Sequence, residues 1–232
     1  MNEVKDIKAF LDEFIANITP ENDVEVLERE RKLQEKKRLA HYKQTVPERF
    51  YKESLYTYKV DDREKHNALA KASLFMKAVK YGNFQTLIFL GNVGTGKTHL
   101  ACGIIRECGG LYRLASSIVE EIRRAKSFTA TETEANLLYK YGQANLLIID
   151  EIGRSNSVLD EQYIIYQIIN ERYNRRKPTV LISNQTKKEF LEYVGVATAD
   201  RLSESAEVIE LTGKSYRAII RQNKNAVQTT RI

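Results

Sequence analysis

Five runs of apolar and β-branched residues, QTLIFLG (85–91), GLYRLAS (110–116), NLLIID (145–150), PTVLISN (178–184) and EVIEL (207–211), dominate the chain from Gln85 onward. A strand with one wet face alternates apolar with polar residues, whereas a near-continuous apolar strand is covered on both faces. Helical stretches separate the first four runs. Parallel neighbours need such crossovers, so the pattern predicts an α/β fold of the three-layer class, a parallel sheet of about five strands. Before the first run, residues 61–81 place Leu69, Ala72, Phe75, Met76 and Val79 on one side of a further helix. The chain has no internal repeat.

Between the first run and the helical stretch THLACGII lies Gly91-Asn92-Val93-Gly94-Thr95-Gly96-Lys97-Thr98, a phosphate-binding loop of the Walker A pattern in its strand-to-helix setting. Glycines at 91, 94 and 96 let the backbone wrap closely round an anion. Successive N–H groups and the helix start near Lys97 then face a triphosphate. Lys97 is expected to reach the β- and γ-phosphates and Thr98 to offer its hydroxyl to Mg²⁺. The candidate nucleotide-binding stretch runs from Gly91 through His99.

The third run ends abruptly in Asp150 and Glu151. An apolar strand has no structural need for two acids at its tip, and the pair fits a Walker B arrangement. Asp150 would hold Mg²⁺, and Glu151 would polarise the water that attacks the γ-phosphate. A base beside the metal carboxylate favours hydrolysis over transfer to a bound hydroxyl. Asn184 ends the fourth run; if that strand lies between the two Walker strands, its amide sits over the γ-phosphate as a sensor. As a lone residue, Asn at a strand end is also ordinary turn chemistry.

The front of the chain reads differently. Val4, Ile7, Phe10, Leu11, Phe14, Ile15 and Ile18 recur at helical spacing, and Thr19-Pro20 opens a second helix over residues 21–44, crowded with Glu, Lys and Arg around Val26, Leu27, Leu33 and Leu39. Either both helices are a lid on the main domain or the first is a docking element for another protein. Residues 46–60, VPERFYKESLYTYKV with Thr45 before them, form an aromatic connector. Two cysteines, six apart in one helix, exclude a disulfide scaffold and a cysteine-ligated zinc module, so a bound metal is expected to have oxygen ligands. The net charge of +6 permits a polyanionic partner without requiring one. Past Glu210 the chain has no acid but carries Lys214, Arg217, Arg221, Lys224 and Arg231. Neither a membrane-spanning stretch nor a signal peptide is read, which places the protein in the cytoplasm.

The order of GNVGTGKTHL, LLIIDEIG, VLISN, ADRL and GKSYR resembles the DnaC/IstB group of AAA+ ATPases, bacterial and phage helicase loaders and transposition helpers, over about residues 45–222. The resemblance implies that Arg201, in the DRL segment, is a finger on a neighbouring subunit's ATP, which implies self-association, and that Arg217 is a second sensor. It also implies single-stranded DNA binding by the helix after the second strand, which matches Arg123, Arg124, Lys126 and Phe128 here. Base contacts near the domain entry fall on Phe50, Tyr51, Tyr56 and Tyr58. The absence of the cysteine-rich module of some relatives favours a helical N-terminal segment of the loader kind.

The organisation expected is therefore a partner-docking segment at 1–45, an AAA+ ATPase domain at 46–222 and a basic tail at 223–232. The function expected is ATP-dependent loading of a replicative hexameric helicase onto single-stranded DNA, with ATP and Mg²⁺ as ligands. An IstB-type transposition helper is the alternative, and a P-loop small-molecule kinase or a non-hydrolysing scaffold stands further off.

Overall fold

The computed structural model describes residues 20–127, 130–155 and 157–216. The chain divides into two units, Met1–His41 and Tyr42–Ile232. Helix α1, Pro20–Thr45, begins in the first and ends in the second. In the first unit Val26, Leu27 and Leu33 are each more than half exposed, the solvated helix that its charge density predicts. The amphipathic stretch at 4–18 lies outside the described residues.

In the second unit five parallel strands, β1 (Thr86–Gly91), β2 (Leu111–Leu114), β3 (Leu147–Ile152), β4 (Thr179–Ser183) and β5 (Ala206–Leu211), lie in the order β2-β3-β4-β1-β5. All five apolar runs are strands. The helices are α2 (Arg63–Lys80), α3 (Lys97–Cys108), α4 (Ala115–Ala125), α5 (Glu134–Gln143), α6 (Val158–Asn174), α7 (Lys187–Val194) and α8 (Val196–Ser205). The last two fill the crossover between the fourth and fifth runs, and a Thr186/Glu189 capping box starts the first of them.

Alternation along the strands builds the three layers. Ile88, Leu90, Leu147, Ile149 and Leu181 share one buried cluster with Ile118 and Ile122 of α4, Tyr141 of α5, Ile165 and Ile168 of α6, Phe190 of α7 and Leu202 of α8. Their neighbours Leu87, Phe89, Ile148, Val180 and Ile182 are as deeply buried on the opposite face, with Ala68, Ala72 and Phe75 of α2 and Leu100, Ala101 and Ile104 of α3. The edge strand β5 is wetter: Glu207 and Glu210 are exposed while Ile209 and Leu211 are buried, and Lys71 of α2 pairs with Glu207 at 2.9 Å.

One buried cation ties the layers together. Arg172 of α6, 1 % exposed, donates to the carbonyls of Tyr141 (2.6 Å), Ala144 (2.9 Å) and Pro178 (2.5 Å) and to Thr179 Oγ1 (2.8 Å), and its burial lowers the guanidinium pKa to about 9. Cys102 and Cys108, both on α3, are not joined by a disulfide. Among the described residues no helix is long and apolar enough to cross a membrane.

Candidate active site

Strand β1 runs into the glycine loop, and the loop into α3. Gly91, Gly94 and Gly96 have φ of 105°, 82° and 99°, the left-handed side of the map where a side chain is strained. At all three space is lacking as well, and a Cβ on Gly91 would collide with the Leu211 carbonyl oxygen. A Cβ on Gly96 would lie 2.6 Å from the Tyr58 ring, and one on Gly94 would collide with Ser215. With no Cβ at these positions, loop amides and the α3 N-terminus remain accessible to an anion.

Sheet order determines what faces that loop. β4 separates β3 from β1, so the tips of the two Walker strands flank the residue that follows β4, Asn184. Ile149 pairs with Leu181, but Ile152 pairs with Ser183, so β3 carries one extra residue where Asp150 and Glu151 stand. Such a bulge re-aims side chains at a strand end. Glu151 takes φ +59°, unusual for a residue with a side chain.

Lys97, Thr98, Asp150, Glu151 and Asn184 all line one cleft of about 370 Å³. Thr98 Oγ1 donates to Asp150 Oδ2 at 2.8 Å, so the two expected metal residues are already joined. Oδ2 also accepts from the Tyr112 hydroxyl at 2.7 Å, and Oδ1 from the Glu151 N–H at 2.7 Å. Burial pushes the Asp150 carboxyl up, and the hydrogen bonds from Tyr112 and Thr98 pull against it. Lys97, 5 % exposed, donates to the loop's own carbonyls, Gly91 O at 2.7 Å and Asn92 O at 2.6 Å. Glu151 is more open and faces Arg154 Nη1 at 3.3 Å.

These donors fit Mg²⁺. Among the described residues no cluster of three or more His, Cys, Asp or Glu is placed to hold a metal. The Thr98 hydroxyl and the Asp150 carboxylate are oxygen donors, which suit a hard cation that takes its remaining ligands from water and phosphate.

Other expected residues lie as follows. Phe50 and Tyr58 line the cleft, the Tyr58 hydroxyl donating to Thr95 O at 3.2 Å; Tyr51 bonds Lys43 O, and Tyr56 is 93 % exposed. Val93 is at the cleft mouth, and Asn92 donates to Thr212 O beyond β5. His99 lines the cleft but turns its ring to the connector, Nδ1 3.0 Å from Glu53 Oε2 and Nε2 2.9 Å from Ser54 O. Arg201 is held within its own chain, donating to Asn170 Oδ1 (2.9 Å) and Ala197 O (2.8 Å) over the Tyr166 ring. Arg123, Arg124 and Lys126 pair with Asp160, Glu120 and Glu134 respectively, in exposed contacts that contribute little and exchange readily. Phe128 and Arg217 lie outside the described residues.

The residues before Arg217 do reach the site. Tyr216 N donates to Gly94 O at 2.9 Å, Ser215 packs on Gly94, and Lys59 sits 5.4 Å from the Tyr216 ring centroid. Sequence reasoning missed Tyr112, Lys59 and Tyr216 as parts of the site. Tyr112 meets Asp150 only because β2 pairs with β3 in a register that places Leu114 opposite Asp150, and no local pattern announces that.

Comparison with known proteins points to one family. The family described as IstB-like ATP binding protein matches residues 9–226. The Replicative helicase loader DnaC of Escherichia coli (strain K12) is 33 % identical over 180 residues, covering 70 % of this chain and 72 % of that protein. An Insertion sequence IS5376 putative ATP-binding protein of Geobacillus stearothermophilus is 34 % identical over 143 residues, 57 % of this chain and 55 % of that protein. Among solved structures the DnaC helicase loader superposes with a TM-score of 0.63 at 19 % identity, covering 72 % of this chain and all of that one. AMPPCP-bound DnaA from Aquifex aeolicus gives 0.56 at 21 % identity over 75 % of this chain and 55 % of that chain. The fold is thus that of the AAA+ P-loop ATPases, and the chain belongs to the IstB-like ATP-binding protein family.

Proposed function

We propose that this protein loads a replicative hexameric helicase onto single-stranded DNA, working as an oligomer that binds and hydrolyses ATP with Mg²⁺. The observation that carries the reading is the convergence of Lys97, Thr98, Asp150, Glu151 and Asn184 on one cleft beside a strained glycine loop. The match to DnaC, which spans more of that relative than the insertion-sequence match spans of its own, favours loading over transposition.

The residues divide the work by position. Loop amides from Val93 to Thr98 bind the phosphate chain, and Lys97 exchanges its two loop carbonyls for phosphoryl oxygens. Thr98 and Asp150 would hold Mg²⁺, which would supply charge neutralisation for the phosphate chain. Glu151, at the bulge and partly open to solvent, accepts the proton of the attacking water, which Asn184 orients. Release of Arg201 from Asn170 frees its guanidinium fork to reach a neighbour's γ-phosphate, which makes turnover depend on assembly. Arg217 follows Tyr216 at the loop and serves as the second sensor.

Arg123, Arg124, Lys126 and Phe128 form the surface for single-stranded DNA, the cations exchanging carboxylate partners for phosphates and the ring stacking on a base. Residues 1–45 grip the helicase, 46–222 form the ATPase domain and 223–232 the basic tail, and the protein acts in the cytoplasm. The test is co-purification with the host helicase, comparing the full chain with one lacking residues 1–41. That cut retains Tyr42, which is 1 % exposed and donates to Phe50 O at 2.6 Å. The full chain is expected to retain the helicase and the shortened one to lose it; equal retention would refute the docking role of the front segment.

A further inference from the structure

Asp150 is 3 % exposed, and a carboxylate that deep needs donors. It has three: Thr98 Oγ1 at 2.8 Å and Tyr112 Oη at 2.7 Å on Oδ2, and Glu151 N at 2.7 Å on Oδ1. A carboxylate offers about four acceptor directions, so roughly one remains for anything outside the protein. Tyr112 differs from the other two donors. The Thr98 hydroxyl is a free rotor on the loop helix, and the Glu151 amide belongs to the bulge. The phenol is rigid beyond χ2 and comes from a different strand.

The backbone of Tyr112 is itself fixed. β2 is an edge strand, and an edge N–H pointing away from the sheet has no ladder partner. Here Thr45 Oγ1 accepts the Tyr112 N–H at 2.9 Å, and Arg113 Nη1 donates to the Tyr112 carbonyl at 2.8 Å. The ring is 3 % exposed and its hydroxyl is aimed at the carboxylate. Phenylalanine would fill the same volume, so packing alone does not account for the oxygen.

We propose that Tyr112 is a positioning residue for the metal step: its phenol, clamped at the sheet edge through Thr45, fixes the rotation of the Asp150 carboxylate so that Asp150 and Thr98 present their oxygens together to Mg²⁺. This rests on the reading of the cleft as a magnesium-nucleotide site. Without the phenol, Oδ2 is held by the Thr98 rotor alone, and the carboxylate must be ordered when the cation arrives. The cost falls on the metal-loaded state and leaves the contacts of the loop amides with phosphate untouched.

The test is a Mg²⁺ titration of binding of a fluorescent non-hydrolysable ATP analogue by the full chain and by Tyr112→Phe, with a parallel series in EDTA and thermal melts of both. One hydrogen bond to a charged group supports a shift of about tenfold. The expected result is a half-saturating Mg²⁺ concentration raised about tenfold, with nucleotide affinity in EDTA within twofold of the parent. A Mg²⁺ dependence within twofold of the parent would overturn the proposal. So would a parallel fall of both affinities with a lowered melt, which would assign Tyr112 to packing. If the parent itself shows no Mg²⁺-dependent nucleotide binding, the reading of the cleft fails, and this inference with it.

Discussion

Glu151→Gln changes one oxygen to nitrogen at the residue assigned to the attacking water, and the structure separates its effect on catalysis from its effect on folding. The side chain's described ion-pair partner is Arg154, at 3.3 Å with the two side chains 39 % and 56 % exposed, and a pair that open contributes at most about 1 kcal/mol. The backbone at φ +59° suits Gln no better and no worse than Glu. The Asp150 carboxylate keeps its donor, because that is the residue 151 amide and not its side chain. Folding stability and ATP affinity should therefore change little, the melt moving by no more than about 2–4 °C for a chain of this size. Loss of a positioned base removes roughly 10²–10⁴ in rate, about 3–5 kcal/mol of transition-state stabilisation. The assay is single-turnover phosphate release beside equilibrium binding of a labelled ATP. A variant that binds as the parent does and releases phosphate at less than a hundredth of its rate is the expected outcome. A rate within about threefold of the parent would refute the assignment of Glu151 as base.

Two other perturbations follow from buried charge. Because burial holds the Asp150 carboxyl above its ordinary value, its contribution to stability is fully present below the unfolded value and is lost as pH rises through the folded one. Nucleotide-free Asp150→Asn should lack that decline, melt higher than the parent near neutrality and hydrolyse no ATP; melts from acid to neutral pH check it, and an identical pH slope in both proteins would count against it. Arg172→Met strands the carbonyls of Tyr141 and Ala144 and leaves Pro178 O only the Leu147 N–H at 3.5 Å, at about 1 kcal/mol or more for each stranded group, so urea unfolding should show a loss of roughly 2 kcal/mol or more, and a loss under 1 kcal/mol would contradict the staple role.

The parallel sheet and the glycine loop were legible because each is written locally. An apolar run between helical stretches is read within a few residues, and a strand–glycine loop–helix sequence carries its own geometry. Asn184 needed one global fact, the position of β4 between the Walker strands, and the sheet order supplies it. What stayed hidden depends on register or on long-range burial. Tyr112 sits in LYRL as an unremarkable strand aromatic until β2 pairs with β3. Arg172 looks like one more cation of a charged helix, NERYNRR, and only the packing of α5 and α6 against β4 buries it. The bulge at Asp150 and Glu151 leaves no trace in LIIDEI, because a strand end one residue longer than its partner looks like any other. Two short helices, α7 and α8, lie before EVIEL; their signals are a capping box and Phe190, too brief for periodicity to register.

The central claim is that Lys97 and the Thr98–Asp150 pair grip one magnesium nucleoside triphosphate. Equilibrium binding of a labelled ATP to the full chain, with and without Mg²⁺, for the parent and Lys97→Ala tests it most directly. The account predicts tight, Mg²⁺-strengthened binding by the parent and a loss of at least tenfold in the variant, since a buried ammonium contacting phosphate contributes about 1.5–3 kcal/mol. Equal affinity in the two proteins, or binding by the parent that ignores Mg²⁺, would contradict it.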